Sequence, residues 1–311
     1  MNGAVVTGAS GFVGRALTAE LRRQGVRVLA VSRAFGGVSQ DSGILPVRLD
    51  LEHLAELPDR TRERWDVFYH LAWDGTAGDG RRDVFRQLSN AEATVQAVQV
   101  AEQLGCHRFI GAGSIMEKEL LAASVVPQVR PGGSHIYSAA KLTAHHMSRC
   151  MAAELGIDHI WAVITNAYGE GEASPRLINT TLRKLQQGEA LHFTAATQQY
   201  DFIHVQDVAR ALYLLGEYGT PFAEYTIGSG APRPLKAFLK ELCEVAGAAQ
   251  PPMFGSVPFQ GVSLPPEAFD TTPLCKDTGF APQVGFSQGI RRTMQWLAQQ
   301  LPEDGAKAET P

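Results

Sequence analysis

No stretch of the 311 residues approaches the ~20 consecutive apolar residues that a membrane-spanning helix needs, and the first apolar strand begins almost at Met1, where a leader would carry its charged and apolar regions. A cytoplasmic protein without membrane contact is expected. Cysteine is scarce. Cys106, Cys150, Cys243 and Cys275 lie far apart with no C-x-x-C spacing, so buried free thiols are expected and neither a disulfide framework nor a thiolate metal site. The nine histidines form no ligand pattern, because His145-His146 sit next to each other on a helical stretch where adjacent positions face different ways; no metal is expected. Basic excess is absent too: 28 Lys and Arg against 32 Asp and Glu, with no basic run, argue against a nucleic-acid partner. No internal repeat is visible. The 44% hydrophobic and 19% charged content is that of an ordinary globular chain able to bury a large core.

Glycine, in contrast, is plentiful and placed. Val5-Val6-Thr7-Gly8-Ala9-Ser10-Gly11-Phe12-Val13-Gly14 puts glycines at 8, 11 and 14 between a short apolar run and an amphipathic one, which reads as strand, turn and helix. A helix N-terminus offers unpaired N–H groups and a partial positive charge, and glycine lets a pyrophosphate approach them without meeting a Cβ. Gly8, Ser10, Gly11, Phe12, Val13 and Gly14 are therefore the expected cradle of a dinucleotide. Ala16, Leu17 and Leu21 give the following segment, 15–24, a helical apolar face, and the run 25–31 reads as a second strand, completing a unit of the expected size. The spacing is G-x-x-G-x-x-G rather than G-x-G-x-x-G.

Apolar strands around Val5, 28–31, 45–49, 67–71, 109–111 and 160–165 alternate with helical stretches, of which 81–104 and 138–155 are the longest. That alternation is the mark of an α/β fold with a doubly wound parallel sheet covered on both faces. Residues 1–171 are expected to form a Rossmann-type dinucleotide-binding domain. Residues 172–301, with helices near 174–187 and 235–246, a short strand at 191–193 and Pro-Pro pairs at 251–252 and 265–266, are read as a smaller mixed substrate lobe that interleaves with the first domain. The polar tail 302–311 is expected to be disordered.

Tyr137-Ser138-Ala139-Ala140-Lys141 opens one of the long helical stretches, so a phenol and an ammonium share one face a turn apart. A phenol of pKa near 10 works poorly as an acid–base group at neutral pH unless a cation favours the phenolate, and Lys141 is positioned to supply one. Ser114 adds a hydroxyl just beyond the apolar run 109–111, at the carboxyl end of a strand, where open α/β sheets place ligands.

The glycine turn, Ser114 and Tyr137-x-x-x-Lys141 together resemble the extended short-chain dehydrogenase/reductases. The similarity continues through His70-Leu71-Ala72, Asn166-Ala167-Tyr168-Gly169-Glu170-Gly171, Asp201-Phe202-Ile203-His204-Val205-Gln206-Asp207-Val208-Ala209 and Ile227-Gly228-Ser229-Gly230, blocks that look like the nucleotide-sugar epimerase, dehydratase and ketoreductase branch. The resemblance implies that Tyr137 gives or takes a proton at a sugar oxygen, that Lys141 lowers its pKa and holds the nicotinamide ribose, and that Ser114 polarises the substrate oxygen. It implies that Leu71 and Ala72 line the cofactor, that Asn90 supports the network, and that Asp50 and Leu51 meet the adenine. Ser32-Arg33 follows the second strand where families using NAD carry an acidic residue, so NADP is the expected cofactor, with NAD possible. The pocket floor is expected to draw on Trp73, Asp74, Met116, Glu117, Asn166 and Tyr200.

Two features narrow the reaction. Dehydratases of the branch place Asp and Glu directly after the catalytic hydroxyl, whereas Ile115 and Met116 follow here and cannot shuttle protons, so dehydration loses ground. Basic residues common in the branch are replaced by Val163 and Tyr200, which puts the usual diphosphate grip in doubt, with Arg176 or Arg183 as substitutes. The expectation is hydride transfer to a nucleotide-activated 4-keto-6-deoxy sugar with Tyr137 as proton donor. The alternatives are a nucleotide-sugar 4-epimerase retaining NAD and a non-catalytic dinucleotide-binding regulator. Apolar residues such as Ala139, Leu142, Met147 and Met151 beyond one buried face predict a homodimer.

Overall fold

The alternating pattern assembles into one seven-stranded sheet in which every neighbouring pair runs parallel. Its strands are β1 (Gly3–Thr7), β2 (Arg27–Ser32), β3 (Ile44–Arg48), β4 (Val67–His70), β5 (Arg108–Ser114), β6 (Asp158–Ile164) and, arriving late in the chain, a strand at Glu224–Ile227 that pairs with β6. The computed structural model describes residues 1–35, 42–125, 132–259 and 261–300; the tail 302–311 lies outside the described residues. Spatially β1 sits between β2 and β4, so the connections leave β1 in opposite directions and open a crevice at the carboxyl ends of β1 and β4.

Strands β1, β4 and most of β2 are buried on both faces, which explains their unbroken apolar runs. On one face Val6, Tyr69, Ile110 and Ala162 pack against helix α1 (Phe12–Arg23) through Leu17 and Leu21, and against a helix at Val205–Tyr218 through Leu212 and Leu215. On the other, Val5, Leu29, Phe68 and Phe109 pack against Ala97, Val98 and Ala101 of a helix at Val84–Gln103. The long helix Ser134–Leu155 lies beside it. A third cluster, built on Leu182, Phe202, Phe238, Leu239 and Ile290, joins the helices Leu177–Gln186, Leu235–Val245 and Phe286–Gln300 around two-residue strands at His192–Phe193 and Gln199–Tyr200. No helix among the described residues is long and apolar enough to cross a membrane.

Three local expectations are corrected. The helix expected from residue 81 begins at Val84, because Asp83 accepts a hydrogen bond from the Arg86 N–H as an N-cap while residues 78–82 wind into a 3-10 turn entered through Gly75 and Gly78 at positive φ. Cys106 and Cys243 are buried free thiols, but Cys150 and Cys275 are exposed, since helix geometry turns both away from the packed faces. The rings of His145 and His146 do not diverge: they stack with centroids 4.7 Å apart, and His145 also stacks on Trp161 at 4.7 Å.

Candidate active site

Three glycines shape the crevice, each for a different reason. Gly8 follows β1 at φ +70°, and a Cβ there would stand 2.8 Å from the Ala72 amide nitrogen at the end of β4. Gly14 lies so close to the turn that a Cβ would meet the Gly8 carbonyl oxygen at 2.0 Å. Gly11 is the N-cap of α1 and has no side-chain capping bond, and α1 carries no acidic residue in its first turn. Its amide end is therefore left for an anion. Thr7 ties β1 to β4 through His70 Nδ1 at 3.1 Å and accepts the Ala72 N–H, and burial pushes the His70 imidazole down to about 3, so it bonds as a neutral ring. The resulting cavity, about 430 Å³, is lined by Gly8, Ser10, Gly11, Arg33, Asp50, Leu51, Leu71 and Ala72, and also by Trp73 and Asp74. Trp73 and Asp74 thus fall on this crevice rather than on the second cavity, where the sequence reading put them. Phe12, Val13 and Gly14 stand behind the lining as the first turn of α1.

Ser114 is the last residue of β5, and the helix α2 (Ile115–Val125) starts on the next residue. The junction is a capping box: the Ser114 hydroxyl accepts from the Met116 N–H at 3.3 Å, and Oε1 of Glu117 accepts from the Ser114 N–H at 2.7 Å. Oε2 of Glu117 accepts from Trp161 Nε1 at 3.1 Å. That indole lies flat across β5 because Gly111 and Gly113 leave it room; a Cβ at either would sit within 2.4 Å of its ring. Glu117 is therefore not a pocket residue. It is buried beneath the strand end, where it fixes the direction of the Ser114 side chain.

Tyr137 and Lys141 stand one turn apart near the start of the helix Ser134–Leu155, and both are buried. The Ser114 side chain lies close enough to the Tyr137 phenol to favour its ionised form. The Tyr137 ring meets Trp73 edge-on at 5.9 Å, so it packs behind a residue that lines the dinucleotide crevice, while Tyr137 itself lines neither that crevice nor the cavity that Ser114 faces. Lys141 Nζ donates to the Ala112 carbonyl at 2.7 Å, lies 3.5 Å from the Trp73 ring centroid, and is 6.0 Å from that of Tyr137. Burial lowers the Lys141 ammonium and raises the Glu117 carboxyl, and the charge of each opposes the other's shift. The phenol of Tyr137 is raised by burial and pulled back by the Arg81 guanidinium, the neighbouring Ser114 hydroxyl and Arg176. Lys141 was expected to be the acidifying cation, yet its ammonium is held on Ala112 and the indole, and the guanidinium nearest the phenol belongs to Arg81, 4.5 Å from the ring centroid.

The second cavity, about 330 Å³, opens over Ser114 and is lined by Arg81, Met116, Glu119, Asn166, Glu172, Arg176 and Tyr200 among others. Met116, Asn166, Arg176 and Tyr200 are where the sequence placed them, Arg176 holding Glu172 at 3.2 Å; Arg183 is exposed on the helix Leu177–Gln186 away from the lining. The replacement at Tyr200 leaves a half-buried phenol that packs on Phe202. Arg81, Glu119 and Glu172 escaped the sequence reading. Burial lifts Glu119 to about 7 against the pull of Arg81.

Asn90 touches no crevice. Its amide accepts the Asp74 N–H at 2.8 Å and donates to the Asp74 and Arg86 carbonyls at 2.9 Å, while Gln87, one turn earlier, accepts from Trp73 Nε1 and donates to the Gly75 and Gly80 carbonyls. These two buried amides hold the loop that carries Trp73 and Arg81. The blocks at 201–204 and 227–230 meet through Asp201, which accepts from the Ser229 hydroxyl and the Gly230 N–H. Among the described residues no group of His, Cys, Asp and Glu could hold a metal ion. The assembled groups suit proton exchange at an oxygen held by Ser114 and Tyr137, beside a crevice shaped for a dinucleotide.

Comparison with known proteins agrees with this geometry. A family model described as the NAD dependent epimerase/dehydratase family matches residues 4–228. A dTDP-glucose 4,6-dehydratase of Escherichia coli is 28% identical over 171 residues, covering 51% of this chain and 47% of that enzyme, so the chain spans about half the length of the first curated relatives it matches. A GDP-6-deoxy-D-mannose reductase of Pseudomonas aeruginosa is 27% identical over 258 residues, 78% of this chain and 79% of that one. Among solved structures, the Bordetella bronchiseptica enzyme WbmF in complex with NAD+ superposes with a TM-score of 0.78 at 20% identity, covering 96% and 93% of the two chains. UDP-glucose 4-epimerase of Thermotoga maritima gives 0.76 at 21% identity, covering 96% of this chain and all of that one. With the family model matched over more than half its length, the chain belongs to the NAD-dependent epimerase/dehydratase family, among the extended short-chain dehydrogenase/reductases.

Proposed function

We propose that this enzyme reduces a nucleotide-activated 4-keto-6-deoxy sugar with NADP as cofactor. The observation that carries the reading is that Trp73, a wall of the glycine-lined crevice, packs on the Tyr137 ring while Ser114 lines a separate polar cavity. The crevice fits a dinucleotide: the amide end of α1 is uncapped at Gly11, and Arg33 stands at its rim, 73% exposed, with Asp74 as its neighbour at 3.8 Å. Bound there, a reduced nicotinamide supplies the hydride. Ser114 orients the substrate carbonyl oxygen, Tyr137 gives it a proton, and Lys141, carried on the same helix, lies within the same buried cluster to hold ribose and charge. Arg33 meets the 2′-phosphate. Arg176 at the mouth of the second cavity takes the diphosphate in place of the missing basic residue at 200. Ile115 and Met116 leave the position of a dehydratase acid and base apolar, and the Pseudomonas relative that matches four fifths of its length is named as a reductase.

A 4-epimerase retaining NAD is the second reading, favoured by the NAD-bound and UDP-glucose-bound structural neighbours. A dinucleotide-binding regulator is disfavoured by the intact Ser114, Tyr137 and Lys141. Exposed Phe85 and Leu88 on the helix Val84–Gln103 and Met147 on its neighbour support a homodimer through those helices. The deciding experiment incubates UDP-, dTDP-, GDP- and CDP-sugars, including 4-keto-6-deoxy forms, with NADPH or NADH. Stoichiometric consumption of NADPH supports the reductase. Interconversion of C4 epimers without net cofactor change identifies the epimerase, and an acyl or terpenoid ketone as the sole substrate class removes the sugar from the account.

A further inference from the structure

Arg81 is the cation the proposed mechanism leaves without a task. Its guanidinium carbon lies 4.5 Å above the Tyr137 ring centroid, and among the described residues it has no hydrogen-bond or ion-pair partner, with Nε buried and unsatisfied. A buried donor is ordinarily paired, because leaving it unpaired costs on the order of 1–3 kcal/mol. The position is nevertheless built: Gln87 grips the Gly75 and Gly80 carbonyls on either side of the turn, and the close approach of Gly75 and Gly80 admits no Cβ at either. The turn holds a charge against the face of the Tyr137 ring.

We propose that Arg81 is a positioning residue which, lying on the ring of Tyr137, stabilises the phenolate and so sets the pH at which that residue exchanges its proton. The inference rests on the reading of Tyr137 as the acid–base group. A guanidinium stays charged at any working pH and lies 4.5 Å from the Tyr137 ring centroid, whereas the Lys141 ammonium is held on the Ala112 carbonyl 6.0 Å away, so the cation stacked on the phenol ring is the arginine. The groups facing Tyr137 are Arg81 from the 78–82 turn, Ser114 from β5, Glu117 from α2, Lys141 from its own helix and Arg176 from the segment before Leu177. Of these, only Arg81 stacks on the ring without a carboxylate bound to it; Glu119 across the cavity tempers its charge without closing an ion pair.

The test uses full-length protein labelled with 13C at tyrosine Cζ, the Tyr137 resonance being assigned by its loss in Tyr137→Phe, titrated with saturating NADP+ and no sugar. Arg81→Gln should raise the Tyr137 midpoint by about one pH unit or more, a tenfold loss of phenolate at fixed pH, and Arg81→Lys should fall between the two. Equal midpoints in wild type and Arg81→Gln overturn the proposal, as does a wild-type phenol that stays protonated up to about pH 12. Should Arg81→Gln fail to fold, the Arg81→Lys shift alone decides, a midpoint equal to wild type counting against. Because no sugar is present, failure of every nucleotide sugar to turn over would sink the proposed function and leave this titration standing.

Discussion

Exchanging the glycines of the first turn one at a time separates a packing contact from a binding surface. In Gly14→Ala the new methyl would stand 2.0 Å from the Gly8 carbonyl oxygen, 2.8 Å from its carbon and 2.9 Å from the Ala9 Cα, all backbone, so no rotamer change relieves the overlap. Helix α1 must withdraw from β1 by about 1 Å or more. Overpacking of this kind costs about 1–3 kcal/mol, and the upper end is expected where only backbone can yield. In Gly11→Ala the φ of −71° suits any residue and the closest contact is 3.1 Å, so stability should change by under about 1 kcal/mol. The methyl instead enters the crevice over the uncapped amides. Weakening even one charge-assisted hydrogen bond to a pyrophosphate there should cost at least about tenfold in affinity. Denaturant unfolding and calorimetric titration with NADP+ and NAD+ measure the two effects. Gly14→Ala should lose stability in the absence of cofactor and Gly11→Ala should lose cofactor affinity at near-native stability. A stable Gly14→Ala, or a Gly11→Ala that binds as wild type does, refutes the assignment of roles within the turn.

Other outcomes follow from single groups. Burial raises the Glu170 carboxyl, but the hydrogen bonds from His204 and Arg292 outweigh it and hold it at about 2, so its contribution is complete above the unfolded carboxylate range and lost as pH falls through about 2; Glu170→Gln should flatten the acid limb of a stability–pH curve below about pH 4.5, by an amount on the order of 1–2 kcal/mol given partial exposure, and an unchanged limb refutes this. Gln87→Ala leaves the Trp73 indole N–H and two half-buried carbonyls without their partner, so it should cost about 1–3 kcal/mol and speed amide exchange over 73–82; unfolding midpoints and exchange mass spectrometry read both. Phe85 is 81% exposed, and Phe85→Glu should convert a dimer to a monomer in light scattering if the paired long helices form the interface, whereas a wild-type monomer at micromolar concentration removes the dimer from the account.

What could be read from the sequence was what local pattern encodes. The glycine turn, the strand-ending Ser114 and the i,i+4 pair Tyr137 and Lys141 are fixed by short-range spacing, and the sheet follows from apolar runs buried on both faces. Glu117 was visible for another reason than the one given: Ser114-x-x-Glu117 is a capping-box spacing, a signal for a helix start rather than for a pocket. Arg81, Gln87 and Glu119 were not legible because their roles depend on where a glycine-rich turn folds back, a matter of tertiary contact; two of them look like ordinary solvated charges on paper. The cation beside the phenol could not be chosen from helix geometry alone, since the Lys141 side chain reaches the Ala112 carbonyl across the helix–strand interface instead.

The central claim is that Tyr137 delivers a proton to a sugar oxygen while a hydride arrives from a nicotinamide whose pyrophosphate rests over Gly8 and Gly11. The most direct measurement follows deuterium from the C4 position of labelled NADPH into a 4-keto-6-deoxy nucleotide sugar, comparing wild type with Tyr137→Phe at saturating cofactor. Wild type should place one deuterium on C4 of the sugar, and Tyr137→Phe should bind cofactor with unchanged affinity yet transfer label at least about a hundredfold more slowly. Full-rate transfer by Tyr137→Phe, or loss of cofactor binding in parallel with turnover, would contradict the account.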